Sequence, residues 1–167
     1  MKLTVKTADI THLPNALEII EDAKAFLKEQ GIDQWQNGYP NTESIKNDIE
    51  LKKGYFLLSD NEIACYFCLD FDGEPAYNNL KGNWKSDKSY AVIHRLAIKN
   101  KFRNQGLAGH VFKYAENLCK EKNIFSIRVD TDADNKIMLH TINKYGFEFC
   151  GTIWFDNSIK QAFEKIL

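Results

Sequence analysis

The segment Arg103-Asn104-Gln105-Gly106-Leu107-Ala108-Gly109 has the residue types and spacing needed to bind a phosphate group, and it lies between a predicted strand and a predicted helix. The first turn of a helix presents backbone N–H groups without intrahelical partners and the positive end of the helix dipole. Small residues at Gly106, Ala108 and Gly109 allow a ligand to approach this backbone closely. The sequence therefore predicts that the main chain over 105–109 forms a cradle for a diphosphate.

Other phosphate-binding motifs do not fit this segment. No G-x-x-x-x-G-K-[ST] occurs in the chain, and G-x-G-x-x-G would need a glycine in place of Asn104. Lys101 and Arg103 supply positive charge close to the loop. The alternative is a strand–helix junction that uses small residues only for packing, and the spacing alone leaves both interpretations open.

The overall composition is that of one ordinary globular domain. The 167 residues are 44% hydrophobic and 27% charged, with a formal net charge of −1. This balance argues against charge-driven binding to nucleic acid or to a membrane surface, and no apolar run is long enough to span a bilayer. The first six residues alternate between apolar and polar, unlike a signal peptide, so we expect a cytoplasmic protein.

The four cysteines predict no metal site. Cys65 and Cys68 form a C-x-x-C, but Cys119 and Cys150 stand alone instead of forming the second pair that a zinc site needs. The C-x-x-C also lies in an apolar run typical of a strand, in which residues three apart face opposite sides. Buried thiols without a chemical role are the favoured interpretation, and a redox or metal role is the alternative.

Hydrophobic periodicity predicts alternating strands and helices that position the loop. Strands are predicted at 3–7, 55–59, 63–70, 90–98, 124–131, 147–155 and 159–167. Helices are predicted from Thr11 to Gly31, from Asn41 or Thr42 to about Lys53, over 106–122 and over 134–144. Residues 72–88 are predicted to form a long loop of functional or mobile character.

From Tyr90 to Phe147 the sequence resembles the GNAT superfamily of N-acetyltransferases. The family signature [Q/R]-x-x-G-x-[G/A] follows a strand and opens a helix, and Arg103-x-x-Gly106-x-Ala108 fits it. Downstream, Asp134-Asn135 and Tyr145-Gly146-Phe147 resemble the family's next segment. The resemblance implies a single α/β (α+β) domain over 1–167. Its central sheet would be mixed and mostly antiparallel, with about six or seven strands, splayed between the two central strands and flanked by about four helices.

The resemblance implies acetyl-coenzyme A as the co-substrate, and no metal. The loop from Arg103 to Gly109 would bind it, with the N–H groups from Gln105 onward on the diphosphate. The strand segment Leu96-Ala97-Ile98 would pair its backbone with the pantetheine arm like an added strand. Asn135 matches a position that often contacts the same cofactor, although a plain helix N-cap explains this residue equally well.

Acetyl transfer to an amine needs a polarised thioester carbonyl and an amine that has lost its proton. The resemblance implies that a backbone N–H on the strand, that of Leu96, polarises the carbonyl. His94 is the candidate base, because its ordinary pKa near ~6.5 suits the task and strand alternation predicts that it shares a face with Leu96. Glu74 and Asp72, in the long loop, are rival bases, or they attract a cationic acceptor.

The residue that would protonate the leaving thiolate departs from the family pattern. Many members place a tyrosine seven residues after the Asn as its acid, and here that residue is Ile142. Tyr145, one helical turn further on, is the remaining candidate acid, although it also fits a buried aromatic position before Gly146. A thiol with a pKa near ~8.5 leaves as a tolerable anion, so losing an acid worth ~10²–10⁴-fold slows the reaction without abolishing it.

The acceptor pocket is predicted to be lined by aromatic side chains. Trp35, Tyr39 and Tyr77 are the candidates, since aromatic rings beside carboxylates attract a cationic amine. Arg95 and Arg128, on adjacent predicted strands, are expected to form structural ion pairs or to contact an acidic substrate.

The favoured function is acetyl transfer from acetyl-coenzyme A to a primary amine of a small molecule, by direct attack in a ternary complex. We expect a monomer or a homodimer that binds neither nucleic acid nor membrane. One alternative is a coenzyme-A-binding module with little turnover, motivated by Ile142. The other is an acetyltransferase that acts on a protein N-terminus or lysine.

Overall fold

The structure, a computed structural model, describes residues 1–167 as a mixed α/β fold. The strands are β1 (Leu3–Thr7), β2 (Gly54–Ser59), β3 (Glu62–Asp70), β4 (Lys81–Gly82), β5 (Ala91–Ile98), β6 (Ser126–Asp132), β7 (Glu148–Phe155) and β8 (Ser158–Ile166). The helices are α1 (Leu13–Glu29), α2 (Thr42–Glu50), α3 (Leu107–Glu121) and α4 (Lys136–Lys144). The predicted fold class is therefore confirmed, with each predicted element present.

The strands follow the order β1-β2-β3-β5-β6-β8-β7-β4 in one hydrogen-bonded sheet. The ladder between β5 and β6 is parallel and pairs only Ala91 with Ile127 and Val92 with Arg128. The ladders that β2 forms with β1 and β3, and those that β8 forms with β6 and β7, are antiparallel. The sheet has one strand more than the six or seven expected. The additional strand is the two-residue β4, which is too short to produce a periodic pattern.

The chain divides into two compact units, and the first comprises Met1–Leu69 with His94–Val111. Its core is formed by apolar residues at helical spacing on α1 and α2 and by inward-facing residues of β2 and β3: Ala16, Ile19, Ile20, Ala23, Ile45, Ile49, Phe56, Leu58 and Tyr66. The periodicity of α1 therefore reports the buried face of this helix. The core also includes Ala97 of β5 and so packs α1 and α2 against a strand that carries part of the candidate site.

Two helix boundaries differ from the sequence prediction. Thr11 does not cap α1, because residues Ile10–His12 form a 3-10 turn that Asp9 caps by accepting from the Thr11 N–H at 2.9 Å. Helix α2 begins as predicted, with a capping box between Asn41 and Ser44. It ends at Glu50 because Lys52, at a φ of +58°, takes the left-handed conformation that terminates helices.

The second unit comprises Asp70–Ile93 with Phe112–Leu167. Tyr77, Val92 and Ile153 form a buried cluster there, with Leu80 and Trp84 packed against it, so the predicted 72–88 loop is anchored to the core at these residues. A 3-10 turn at Pro75–Asn79 and strand β4 lie within it. At the β4–β7 ladder, a Cβ on Gly82 would lie 2.0 Å from the Cys150 carbonyl oxygen, so only glycine permits this pairing.

The four cysteines are buried thiols that form no disulfide, as predicted. Burial raises the pKa of the Cys65 thiol well above its usual range, which makes it unreactive. No group of three or more His, Cys, Asp or Glu side chains is arranged to hold a metal ion. None of the helices combines the length and the apolar character needed to cross a bilayer. That residues 1–167 form a single domain remains a prediction.

Candidate functional site

The loop that precedes α3 contains two residues in the left-handed region. Asn104 and Gly106 have φ angles of +63° and +76°. Glycine adopts this conformation freely, and asparagine is one of the few other residues that tolerate it. A Cβ added to Gly106 would meet no atom within 4 Å, so the surface beside it is open. Turns with left-handed residues of this kind bring successive N–H groups to one concave side that suits an anion.

Five consecutive backbone N–H groups of this loop, from Asn104 to Ala108, donate to no acceptor within the protein. The next N–H, of Gly109, donates to the Gly106 carbonyl at 3.1 Å, where the helical turn begins. Asn104, Gln105 and Gly106 are exposed. The loop thus combines unsatisfied donors with the positive end of the α3 dipole, which is the arrangement that binds phosphate oxygens.

Arg103 anchors this loop to α1. Its guanidinium pairs with the Asp22 carboxylate at 3.2 Å and donates to the Asn100 side-chain oxygen at 2.9 Å. The Asn100 N–H donates to the same carboxylate at 2.8 Å. Lys101, the other cation near the loop, pairs with Glu62 at 2.6 Å. The positive charge that the sequence places beside the loop is therefore directed to protein carboxylates.

The candidate base His94 is buried on β5, with 8% of its surface exposed. Burial, with smaller contributions from the charges of Arg95 and Lys53, lowers the pKa of its imidazole to about 3. The ring is therefore neutral at pH 7. It has a lone pair that can accept a proton, but it is a much weaker base than an ordinary histidine.

Strand alternation breaks one residue after His94. Arg95 has a φ of +52°, which interrupts the extended backbone between His94 and Leu96. That these two residues share a face remains a prediction. The Arg95 side chain forms the ion pair expected of it. Its Nε and Nη2 donate to the two carboxylate oxygens of Asp48, at 2.7 and 2.6 Å.

Trp35 and Tyr39 both lie on the connector between α1 and α2. Trp35 is partly buried against the core of the first unit, and the Tyr39 hydroxyl accepts from Nη1 of Arg95 at 2.5 Å. The Gln36 side chain donates to the Lys24 carbonyl at 2.9 Å, which holds the connector against α1. The connector is therefore fixed by polar contacts of the Gln36 and Tyr39 side chains.

In the second unit, Asp72 and Glu74 line an open cavity of about 370 Å³, together with Phe71, Asn78, Ser89 and Tyr90. The Glu74 carboxylate accepts from the Ala76 N–H at 3.2 Å and so caps the short turn that follows. Tyr77 lies in the core instead, with 1% of its surface exposed, and its hydroxyl donates to Asp130 at 2.7 Å.

Helix α4 carries the remaining candidates. The Asn135 side chain caps the helix by accepting from the Met138 N–H at 3.2 Å. Ile142 is buried, with 1% of its surface exposed. The Tyr145 ring packs edge-on against Phe112, with the ring centroids 5.6 Å apart. Asn135 thus has the N-cap function, and Tyr145 has the aromatic packing function that the sequence allowed.

A family model of the GNAT acetyltransferases matches residues 20–147, which is more than half of the chain. The chain belongs to this family. Membership makes it an acyltransferase that uses acetyl-coenzyme A as its co-substrate. The predicted family, enzyme class and co-substrate are therefore confirmed, and the matched range includes both β5 and the loop before α3.

Individual relatives agree with this assignment. An uncharacterized N-acetyltransferase of Bacillus subtilis (strain 168), YesJ, is 28% identical over 142 residues, covering 84% of this chain and 77% of YesJ. A GNAT acetyltransferase structure from Streptococcus agalactiae 2603 is 31% identical, with a TM-score of 0.88, covering 99% of this chain and 95% of that one. PaiA N-acetyltransferase from Thermoplasma acidophilum, solved with coenzyme A, has the same fold, with a TM-score of 0.75, 17% identity and full coverage of both chains.

The carboxylates that hold the candidate residues in place were not predicted from the sequence. Asp22 anchors the loop across 81 residues of chain, and Asp48 holds Arg95 across 47 residues. Both lie on helices where a charged residue is ordinarily solvated, so no local pattern distinguishes them. The first unit contains the loop, His94, Leu96 and the connector aromatics, and the second contains Glu74, Tyr77, Asn135 and Tyr145.

Proposed function

We propose that this acetyltransferase moves the acetyl group of acetyl-coenzyme A to a primary amine of a small molecule, by direct attack in a ternary complex. The observation that carries the proposal is the row of five unsatisfied N–H groups from Asn104 to Ala108. A helix N-terminus leaves its first donors without intrahelical partners, and a diphosphate supplies acceptors for them.

The donor is bound mainly by main-chain groups. The N–H groups from Gln105 to Ala108 hold the diphosphate, without the predicted contribution of Gly109, whose N–H donates to the Gly106 carbonyl. The backbone at Leu96-Ala97-Ile98 pairs with the pantetheine arm. The limited β5–β6 ladder supports this, because β5 contributes only Ala91 and Val92 to it. Arg103 acts through its anchor to Asp22, which keeps the loop in place, rather than by a direct charge on the phosphates.

The reaction forms one bond and breaks another at the acetyl carbon. The amine nitrogen attacks this carbon, the carbonyl oxygen gains negative charge, and the Leu96 N–H stabilises that charge. Collapse of the adduct breaks the C–S bond and returns the electron pair to sulfur. The nitrogen gives up one proton, and the departing thiolate takes one up from the acid or from solvent.

His94 is the proposed acceptor of the proton on the amine nitrogen, after that nitrogen has attacked the carbonyl carbon. With a pKa of about 3, it cannot deprotonate an alkylammonium beforehand, because that transfer would cost about 10 kcal/mol. The nitrogen becomes far more acidic once it is bonded to the carbonyl carbon, and a neutral imidazole then accepts its proton. The amine therefore enters in its neutral form, and Glu74 is the rival acceptor of the nitrogen proton.

This chain has only a weak candidate for the general acid that would protonate the leaving thiolate. Ile142 is buried and has no proton to donate, which leaves Tyr145 as the candidate acid. Its hydroxyl is proposed to protonate the thiolate, with solvent as the alternative proton source. We expect slow but measurable turnover, since a thiolate leaves without assistance.

The acceptor is a small amine that contacts the connector between α1 and α2. Trp35 and Tyr39 supply aromatic surface on this connector, and rings of this kind favour an amine with an apolar or cationic body. Thiol release from acetyl-coenzyme A in the presence of small amines, with peptides bearing a free N-terminus or lysine in parallel, tests this preference. Release with peptides alone would replace the small-molecule proposal with protein acetylation.

Substitution of Gly106 tests the diphosphate cradle. Gly106→Asp places a carboxylate against the open N–H groups, so coenzyme A affinity measured by calorimetry should fall at least ~100-fold. Gly31→Asp is the matched control, because Gly31 has a similar φ of +71° and also has no atom within 4 Å of an added Cβ. Equal affinity of the two variants for coenzyme A would overturn the proposed cradle.

A further inference from the structure

Arg95 has a backbone conformation that a strand residue does not adopt without a cause. Its φ of +52° lies in the left-handed region, in which a residue with a Cβ costs roughly 1–2 kcal/mol relative to its ordinary conformations. Such strain persists only where the surrounding structure imposes it, and it concentrates at functional sites. The following N–H is that of Leu96, the group proposed to bind the thioester carbonyl.

The direction of that N–H depends on Arg95. The peptide between Arg95 and Leu96 is a rigid plane, so rotation about the Arg95 backbone turns the Leu96 N–H with it. A return of Arg95 to an extended conformation would turn the plane and point the N–H elsewhere. Whatever holds Arg95 therefore also aims the donor that the reaction needs.

A buried polar cluster holds the Arg95 side chain. Two of its nitrogens donate to the Asp48 carboxylate, at 2.7 and 2.6 Å, and the third donates to the Tyr39 hydroxyl. Asp48 is buried on α2 and accepts a further bond from the Tyr66 hydroxyl at 2.8 Å. A bidentate pair of this kind fixes direction as well as distance. The guanidinium is thus held from a helix and a connector outside its own strand.

Stability alone does not account for this arrangement. A buried ion pair often contributes no more than apolar residues of the same size would, because desolvation offsets the attraction between the charges. Here the pair also accompanies a strained backbone, which lowers its net contribution to stability further. Because desolvation of the pair and strain in the backbone both cost free energy, the arrangement indicates that the backbone geometry at Arg95 is itself required.

We infer that the Asp48–Arg95 pair is a positioning device that keeps Arg95 in its left-handed conformation and so aims the Leu96 N–H at the thioester carbonyl. The inference rests on the proposed function, in which that N–H binds the carbonyl. Arg95 is a positioning residue in this scheme, because it acts through the neighbouring peptide and contacts no reacting atom. The Tyr39 hydroxyl links the same guanidinium to the connector proposed to bind the acceptor.

Infrared spectroscopy of bound acetyl-coenzyme A labelled with ¹³C at its carbonyl carbon tests this inference without a known amine. In the wild-type protein the carbonyl stretch should shift to lower frequency on binding, because a hydrogen bond weakens the C=O bond. Arg95→Lys keeps the charge but removes the bidentate contact, and Asp48→Asn removes the anion. Both should lose the shift and keep their affinity for coenzyme A within about threefold, since the diphosphate loop is unchanged.

Asp132→Asn is the matched control, because Asp132 is also a buried carboxylate in an ion pair, with Lys160. It should retain the full shift. An unshifted carbonyl in the wild-type protein would overturn the assignment of the Leu96 N–H, and the inference with it. A shift that persists in both variants would overturn the inference alone. Loss of folding or of coenzyme A binding in both variants would assign the pair to stability instead, and would also overturn it.

Discussion

The loop before α3 and the charged layer on β6 and β8 use polar groups in opposite ways. The charged layer consists of Arg128, Asp130, Asp132, Lys160 and Glu164. All of them except Asp130, which is half-buried, are buried. Each has a protein partner: Arg128 pairs with Glu164 at 2.9 Å, Lys160 pairs with Asp132, and Asp130 accepts from Tyr77. The loop instead exposes a row of N–H groups that have no partner.

The difference separates structural polar groups from functional ones. A buried charge must be satisfied within the protein, because losing its partner exposes the full cost of desolvation. A row of exposed donors at a helix N-terminus carries no such penalty and gains most when an anion binds. Breaking the layer should therefore change stability without changing coenzyme A affinity, and breaking the loop should do the reverse.

The largest expected effect is a loss of stability when an ion pair of the charged layer is broken. Glu164 is fully buried and accepts from Ser126, from Arg128 and from the backbone N–H groups of Lys85 and Ser86. Glu164→Ala leaves the Arg128 charge buried without its partner, so the free energy of unfolding should fall by about 3–5 kcal/mol. Urea denaturation measures this loss, while calorimetry at a temperature where the variant is folded should give an unchanged coenzyme A affinity.

Glu148→Ala is the control for that variant. Glu148 pairs with Lys85 at 3.4 Å, but its side chain is 71% exposed. An exposed pair contributes at most about 1 kcal/mol, so this variant should be nearly as stable as the wild type. Similar losses in both variants would show that burial does not decide the value of these pairs.

The layer also predicts a dependence of stability on pH. Burial, partly opposed by Tyr77 and Lys160, raises the pKa of Asp130 from 3.8 to about 6. Because the folded state binds this proton more tightly, the associated stabilisation is present below about pH 4 and is lost as the pH rises through 6. The difference between a pKa of 3.8 and one of about 6 corresponds to about 3 kcal/mol in full.

Asp130→Asn has no such proton to lose. Between pH 4 and pH 7 its free energy of unfolding should therefore fall by about 2 kcal/mol less than that of the wild type, as measured by urea denaturation at each pH. The comparison cancels the other carboxylates, which both proteins share. Parallel pH profiles for the two proteins would contradict a raised pKa at Asp130.

The sequence was sufficient to predict the elements but not the contacts between them. The helices have an amphipathic pattern and the long strands have apolar or β-branched runs, and the N-cap of α2 was predicted at Asn41 or Thr42 because capping is local. The partner of Arg95 was not predictable, because Asp48 lies 47 residues away and belongs to another element. The left-handed conformation of Arg95 was missed for the same reason, since it depends on that distant contact rather than on the residue type.

The candidate site divides in the same way. The loop was predicted because its N–H groups are provided by the backbone, and the small residues that expose them are visible in the sequence. The basicity of His94 was not predictable, because the lowered pKa results from burial and from neighbouring charges. Main-chain features of the site thus follow from local sequence, whereas side-chain properties follow from the packed structure.

A smaller effect should separate anchoring of the loop from direct contact with phosphate. If Arg103 acts only through Asp22, then Arg103→Ala and Asp22→Ala each weaken coenzyme A binding about tenfold, or about 1.4 kcal/mol. The double variant should lose no more than either single variant, because both remove the same contact. Additive losses, with the larger from Arg103→Ala, would show that the guanidinium binds phosphate directly.

The smallest effect concerns Asn135, which the sequence left open as a cofactor contact or a helix cap. Its side-chain oxygen already accepts from the Met138 N–H, so Asn135→Ala should lower the free energy of unfolding by about 1 kcal/mol. Asn41→Ala is the matched control, since Asn41 caps α2 in the same way through the Ser44 N–H. If both side chains only cap helices, calorimetry gives wild-type affinity for coenzyme A in both variants. A tenfold loss in Asn135→Ala alone would place this residue with the open loop, as a polar group that serves a ligand as well as the fold.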